Sequence, residues 1–313
     1  MLYRNMKRIF ILIITLVAFT LCQAQNVDLS LKLEKGKVYK QVIRSKINTV
    51  QRIDIQIVKG VELEDIMTTT GIMNFFVKDI NETGYLMAVT FDSLDISIQM
   101  PQTFQGYSSG AMNPNDPFAP ILEAMKQITF EIVMSKKGKV IEIRNLEVVW
   151  NAVVDQSKGL SETQREQFKT YLMQVYGDDA MKDNIEMVTA IFPDKPVNKG
   201  DKWTVDTDLD PTLFLGTNVS TNYHLTDLTP DYALIIGTAD FKTDDKDLSG
   251  EYADEMAVTR ESEIKVDKNT GWIIEAKINQ EIKGNINVED TPEMSDGMKM
   301  LTIVTTEMVV KDK

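Results

Sequence analysis

The sequence predicts a mainly β fold with some α (α+β): two related antiparallel β-meanders forming a curved sheet or barrel-like sandwich, with a central helical layer. Three observations lead there. Apolar and polar residues alternate with period two through both ends of the chain, and helical spacing replaces that alternation over residues 146–192. Three sequence blocks then recur, in the same order, on either side of the helical stretch. Residues 25–313 are read as one β-rich domain, with a β-half at 25–145, a helical segment at 146–192 and a β-half at 193–313. Residues 1–24 are read as a signal peptide.

The leader begins with Arg4, Lys7 and Arg8 and continues as an apolar run from Ile9 to Leu21. That run is shorter than the roughly 20 residues a membrane span needs and suits a signal-peptide core. Cleavage after Ala24 is expected. The alternative, lipid anchoring through Cys22, has Phe19-Thr20-Leu21 ahead of the cysteine, where lipoproteins carry small residues. Cleavage removes three positive charges and no negative one, taking the net charge from −13 to −16. The expected location is exported: the periplasm or cell envelope of a Gram-negative bacterium.

From Leu29 to about Ile143 alternation dominates, as in Ile53, Ile55 and Ile57 against Arg52, Asp54 and Gln56. One apolar and one polar face mark half-solvated antiparallel strands. The stretch from Met100 to Pro120 breaks the pattern with four prolines, two glycines and the apolar Phe104, Tyr107, Met112 and Phe118. It reads either as a flap over a cavity or as a surface loop pinned by apolar contacts. Ile121, Leu122, Met125 and Ile128 then have the spacing of a short amphipathic helix.

Leu146 to about Ser157 is the first helix of the middle segment. Ser161-Glu162-Thr163-Gln164 is a capping box that opens a second, with Phe168, Tyr171, Leu172 and Val175 at helical spacing and Gly177 as its stop. A third runs from about Asp179 to Ile191, and Pro193 ends it. After Trp203 alternation returns and is clearest from Ile278 to Val288.

The recurring blocks are specific. Lys35-Gly36-Lys37-Val38-Tyr39 pairs with Lys199-Gly200-Asp201-Lys202-Trp203. Asn74 to Ile80, a turn and Tyr85 to Val89 pair with Asn222 to Leu228, a turn and Tyr232 to Ile236. Glu131 to Lys136, Gly138 and Val140 to Glu142 pair with Glu263 to Lys268, Gly271 and Ile273 to Glu275.

Composition excludes several chemistries. An acidic chain, with 34 Lys+Arg against 47 Asp+Glu, lacks the basic clusters that nucleic acids require. One Cys and one His provide neither a soft-ligand metal cage nor a disulfide framework, so no metal and no cofactor is expected. Gly106-Tyr107-Ser108-Ser109-Gly110 matches a serine-hydrolase elbow but lacks the flanking strand and helix, and its sole candidate base, His224, falls on a strand pattern. Asp206, Asp208 and Asp210 imitate a calcium loop, yet Pro211 and Thr217 stand where its glycine and glutamate belong. Ser262 and Lys265 have a penicillin-recognising spacing that requires a helix, and here they sit in a strand. No catalytic residue is assigned, and the chain is not expected to be an enzyme. The 17 methionines suit adaptable apolar contacts but mostly fill sheet and helix faces.

Leu33 to Tyr39, Ser135 to Val140, Phe192-Pro193-Asp194-Lys195-Pro196-Val197-Asn198-Lys199-Gly200-Asp201-Lys202-Trp203 and Asp267 to Gly271 together resemble exported Bacteroidota proteins grouped as a domain of unknown function. The likeness covers essentially the whole mature chain; it implies a cell-envelope location and carries over no activity.

The function expected is binding of an apolar or amphipathic, lipid-like ligand in a cavity between sheet and helices, an arrangement similar in broad shape to envelope lipid carriers. The alternative is a non-enzymatic protein–protein interaction or scaffold module of the envelope. Expected partners are thus a lipid-like small molecule or an envelope protein, with no nucleic acid and no integral span after cleavage. The pocket or flap lining is assigned to Phe104, Tyr107, Met112, Phe118, Leu122, Met125, Phe168, Tyr171, Leu172 and Val175.

Overall fold

The computed structural model describes residues 26–55, 58–100, 103–108, 123, 125, 126, 128–156, 161–208, 218–242, 255–288 and 298–312. The leader, with Cys22, lies outside them. Twelve antiparallel strands form one sheet: β1 (Val38–Ile55), β2 (Val58–Ile80), β3 (Gly84–Met100), β4 (Thr103–Ser108), β5 (Thr129–Ser135), β6 (Val140–Arg144), β7 (Lys202–Asp208), β8 (Asn218–Leu228), β9 (Tyr232–Lys242), β10 (Glu255–Asp267), β11 (Ile273–Val288) and β12 (Met298–Lys311). Their order is β6-β5-β3-β2-β1-β12-β11-β10-β9-β8-β7, with β4 paired to β3 off this path. The helices α1 (Leu146–Gln156), α2 (Glu162–Tyr176) and α3 (Asp178–Thr189) carry the chain from the β6 edge to the β7 edge.

The meander therefore runs outward from the centre to one edge, crosses to the other, and returns. The expectation of a sandwich is corrected: the two halves are consecutive parts of a single sheet, joined where β12 pairs β1 from Val42↔Lys311 to Asp54↔Lys299. The sheet curves, because α3 touches β6, β7 and β11 at once. The Lys139 ammonium also reaches the Asp206 carbonyl of β7 at 3.2 Å, bringing the two edges toward each other.

Helix ends follow their sequence signals. Ser161 Oγ accepts from Gln164 N, and the Gln164 side chain accepts from Ser161 N at 2.9 Å, closing the capping box on α2. Leu146, Val149, Trp150, Val153 and Val154 of α1 are buried, as are Ile185 and Val188 of α3, and all belong to one core with both halves of the sheet. The helices make a patch against β5, β6, β7 and β11, which is less than a layer over the sheet. The strands extend well beyond that patch. β2 alone has 23 residues, about 75 Å at the usual rise of about 3.3 Å per residue. Along Ile47–Gln51 of β1 and Asp65–Thr70 of β2 both faces are half-buried, so the inside-outside contrast of the core end is absent there.

Two further expectations are corrected. The alternation of Leu29, Leu31 and Leu33 belongs to a buried strap at the core end of the sheet. Its amides donate to turns of both halves, Leu31 N to Lys136 O at 2.8 Å and Lys32 N to Thr270 O at 2.7 Å. The Tyr85 hydroxyl clasps it by donating to Leu31 O at 2.7 Å and accepting from Leu33 N at 3.2 Å. In the segment read as flap or loop, Thr103–Ser108 is strand β4, paired from Met100↔Thr103 to Asp95↔Ser108. The rest of it, through Pro120, lies outside the described residues.

The recurring blocks take up the same local structures. Gly36 N donates to Val77 O, and Gly200 N to Leu225 O, each at 2.8 Å. The β2–β3 pairing skips between Val77 and Asp79, as β8–β9 does between Leu225 and Asp227. The β5–β6 pairing skips between Val133 and Met134, as β10–β11 does between Lys265 and Val266. The ion pairs Lys35–Asp79 and Lys199–Asp227 both measure 2.7 Å. Gly138 (φ 80°) and Gly271 (φ 70°) turn the chain against a backbone carbonyl, Thr189 O in one half and Ser30 O in the other, where any Cβ would collide. One detail of the sequence matching changes: the Asn81–Gly84 and Thr229–Tyr232 turn bonds correspond, so Tyr85 matches Ala233 rather than Tyr232.

Candidate functional site

Strand alternation and register assign an inward face to each strand of the second half. On β10 the buried residues are Val258, Arg260, Ser262, Ile264 and Val266, while Thr259, Glu261 and Glu263 between them are exposed. Arg260 is 4% exposed and is the only buried Lys or Arg among the described residues, in a chain of net charge −13. Its Nε donates to Gln280 Oε1 at 2.8 Å, directly across the β10–β11 pair. Burial lowers the pKa of its guanidinium, and the Tyr223 phenol and the Asp183 carboxylate of α3 work against that fall.

Tyr223 is brought toward Arg260 by an omission on the intervening strand. Tyr223 of β8 pairs with Gly237 of β9, which pairs with Ser262 of β10. A Cβ on Gly237 would run into both the Tyr223 ring and Ser262 Oγ, so glycine makes the space in which the ring lies. Trp203 of β7 stacks on the other side, ring centroids 6.0 Å apart, and its Nε1 donates to Ile191 O at 2.8 Å. Burial pushes the Tyr223 hydroxyl up to about 12, against the opposing pull of the Arg260 charge and the Thr221 hydroxyl. Thr221 itself is 1% exposed, and its hydroxyl lies close enough to the Tyr223 phenol to act on it.

The inward face is thus banded along the strands. At the core end lie Leu225, Ile235, Ile264 and Ala276, part of the main core. Next comes a polar band of Thr221, Tyr223, Ser262, Arg260 and Gln280, all buried. Beside and beyond it stands a separate apolar cluster: Ala239, level with Arg260, and Val219, Val258 and Ile282, with Phe241 and Val304 against them. A buried cation between two apolar zones is a costly arrangement that requires polar partners.

Counting along paired strands shows what the first half has instead. Phe75, Val89 and Phe130 are mutual register partners, as Tyr223, Gly237 and Ser262 are. Ile128 stands two residues before Phe130, as Arg260 does before Ser262. Phe75, Val89 and Phe130 are almost fully buried in the main core, with Ile128 packed against it.

The ten sequence-assigned lining residues are not assembled into this band. Met125 is half-buried against the main core. Phe104 pairs with Gln99 and Tyr107 with Ile96 on β4, positions of opposite parity at the β3 margin. Phe168, Tyr171, Leu172 and Val175 take helical positions in α2, with side chains outside the described set, and Met112, Phe118 and Leu122 lie outside it altogether. Arg260 and Gln280 escaped sequence reasoning, although each is a polar residue in the apolar phase of an alternating strand, between Val258 and Ile264 and between Ile278 and Ile282.

Of the motifs set aside on sequence, the serine-elbow segment does lie in a strand, contrary to expectation, and the Ser262–Lys265 segment lies in a strand as expected. Gly106, Tyr107 and Ser108 lie within β4, Ser262 to Lys265 within β10, and His224 within β8. Among the described residues no group of three His, Cys, Asp or Glu side chains stands close enough to hold a metal ion. No helix of the described residues is long and apolar enough to cross a membrane.

Residues 82–273 match the model of a family described as "Family of unknown function (DUF6263)", and the chain belongs to that family. No curated protein matches the chain. Among solved structures, 90% of the chain is similar to 25% of a lipovitellin chain from a study of its lipid–protein interactions, at 9% identity and a TM-score of 0.43. The chain therefore spans about a quarter of that protein's length. An outer membrane channel from Pseudomonas putida F1 is similar over 90% of this chain and 97% of its own, at 9% identity and a TM-score of 0.19. Likenesses at these scores establish no shared mechanism.

Proposed function

We propose that this member of a family without an assigned function is an exported, non-enzymatic envelope protein that binds an apolar or amphipathic, lipid-like ligand on the inward face of its curved sheet. The observation that carries the reading is the second apolar cluster of Val219, Ala239, Val258 and Ile282, which is buried yet separated from the main core by a polar band. A second apolar zone lengthens the apolar lining of the sheet beyond the main core, in the direction an alkyl chain would extend. The strap and turns that close the core end favour access from the other end. The curvature around α3 supplies a concave surface of the kind that small-molecule sites use.

The test is native mass spectrometry of the mature protein purified from its own envelope, followed by organic extraction. A co-purified apolar molecule at near one-to-one stoichiometry is the expected result. A bare chain that takes up no fluorescent fatty-acid probe, ester or acid, removes the reading and turns the search to protein partners. Export is checked separately, by N-terminal sequencing of the envelope form, for which Gln25 is the expected first residue.

A further inference from the structure

We propose, independently of the ligand reading, that the strap Val27–Leu33 is a latch over the core end of the curled sheet: it opens as one unit while the twelve strands stay paired. Among the described residues it belongs to no strand, and its one β-bridge joins Val27 to Val197. What holds it are turns and side chains from distant parts of the chain: Lys136 O and Thr270 O on its amides, Lys137 Nζ on Leu29 O at 3.2 Å, and both bonds of the Tyr85 hydroxyl. Lys136 lies in the β5–β6 turn and Thr270 in the β10–β11 turn. Five strand spacings of about 4.8 Å separate β5 from β11 in the sheet order, roughly 24 Å on a flat sheet. The consecutive amides of Leu31 and Lys32 reach both turns only because the sheet curls, and among the described residues no backbone hydrogen bond joins those turns directly. The strap is therefore the hydrogen-bonded tie across this end of the curl.

Its construction lets it leave without breaking a strand pair. Leu29, Leu31 and Leu33 are buried in the main core, while Asp28, Lys32 and Glu34 are exposed. The hinge follows at once. Gly36 has φ 83°, with no atom within 4 Å of where a Cβ would stand. It is also where bonding to β2 begins, through Gly36 N to Val77 O and Val77 N to Lys37 O at 2.9 Å. That fixed point leaves Glu34 and Lys35 to absorb the rotation. They are restrained by the Glu34 N to Tyr39 hydroxyl bond at 3.0 Å and by the exposed ion pairs Lys37–Glu34 and Lys35–Asp79, a kind that contributes little. Three buried leucines keep the closed state dominant, yet an end segment outside the ladder opens at lower free energy than the strands beneath it. Opening uncovers the main core at the end of the sheet away from the second apolar cluster, which gives the curl a second mouth.

Amide-resolved hydrogen exchange on the full chain tests the latch. The amides of Val27, Leu31, Lys32 and Leu33 are expected to exchange through one shared opening, about 100-fold or more as often as the paired amides of β11. Tyr85→Phe keeps the ring and removes both hydroxyl bonds, so it should raise the strap opening about tenfold and leave β11 unchanged. Val27→Cys with Val197→Cys, in a Cys22→Ser background, places thiols across a hydrogen-bonded pair whose Cα spacing of about 5.5 Å suits a disulfide. Oxidation should suppress exchange at Leu31 and Lys32 as well as at Val27, and reduction should restore it. Strap amides as protected as those of β11, or a Tyr85→Phe effect equal in both, would show that the strap opens only with the whole sheet and overturns the latch. Protection that climbs from Val27 to Leu33, with Leu31 indifferent to the disulfide, would show a frayed end and overturns it too. Both outcomes leave the ligand reading standing, since the mass measurement decides that separately.

Discussion

Phe75, Val89, Ile128 and Phe130 in the first half hold the positions that Tyr223, Gly237, Arg260 and Ser262 hold in the second. The backbones around them agree down to the skipped register partners and the lysine–aspartate pairs, while the side chains are apolar in one half and polar in the other. The turn chemistry recurs in both halves while the inward-facing residues at these positions differ. In the first half those positions feed the core that holds α1; in the second, Tyr223 joins the same core while Arg260 and Ser262 are buried polar groups bonded to Gln280 and to Gly237 O.

Exchanging residues between the halves sharpens or breaks this contrast. Phe130→Ser places the second half's residue in the first and should be the most damaging, by about 4 kcal/mol, because truncating a buried phenylalanine leaves a cavity and the new hydroxyl has no partner. Its reverse partner Ser262→Ala should cost about 1 kcal/mol or less, since Ser262 Oγ contributes a single 3.4 Å bond to Gly237 O. Urea midpoints with unchanged slopes check both; near-equal losses would show that the two halves carry equal shares of the core.

Gly237→Ala comes next, at about 1–3 kcal/mol, because the methyl meets the Tyr223 ring and Ser262 Oγ together. The same denaturation series reads it, and a neutral result would mean the Tyr223 ring has room to move away.

Tyr223→Phe restores the first half's residue and should be nearly silent at neutral pH. Its effect lies in the alkaline range. The folded Tyr223 hydroxyl is raised to about 12 from 10.0, so its contribution is fully present below about pH 10 and lost as pH rises toward 12. Ultraviolet titration should show Tyr223 and Tyr85 ionising late, and the Tyr223 share should vanish in the variant, which is also expected to lose less stability between about pH 10 and about pH 12.

The smallest effects belong to the matched ion pairs. Asp79→Asn and Asp227→Asn should lower the urea midpoint slightly and equally, since each carboxylate is held below its ordinary range by its lysine and a backbone amide. Their pKa values are depressed in the folded state, so each contribution exists above about pH 4 and fades as pH falls through the lowered value. Unequal effects would show that the halves differ outside their interiors as well.

Much of the frame was legible in the sequence because its signals are local. Ser161 and Gln164 announce a cap, alternation announces a half-buried strand, and Gly138 and Gly271 mark turns that no other residue fills. Strand order was not legible, since nothing in Ile43 or Val310 says that these residues pair across nearly the full chain. The strap at Leu29–Leu33 was misread as a strand because a single extended segment buried on one side alternates just as a strand does. The buried polar band was not legible for a third reason: aromatic and methionine residues carry the apolar signal, whereas Arg260 and Gln280 are polar residues interrupting an apolar phase.

The seam between β1 and β12 carries a consequence for how the molecule comes into being. The other pairings of named strands join strands that are closer in the chain, while this one unites Val42 with Lys311. During synthesis β1 can pair early with β2, but its other edge stays open until the last strand of the sheet has been made. Such long-range closure is slow and leaves an adhesive edge exposed in the interim. Folding of the sheet therefore cannot finish until β12 has been made, and until then the free edge of β1 is open to pairing with other chains.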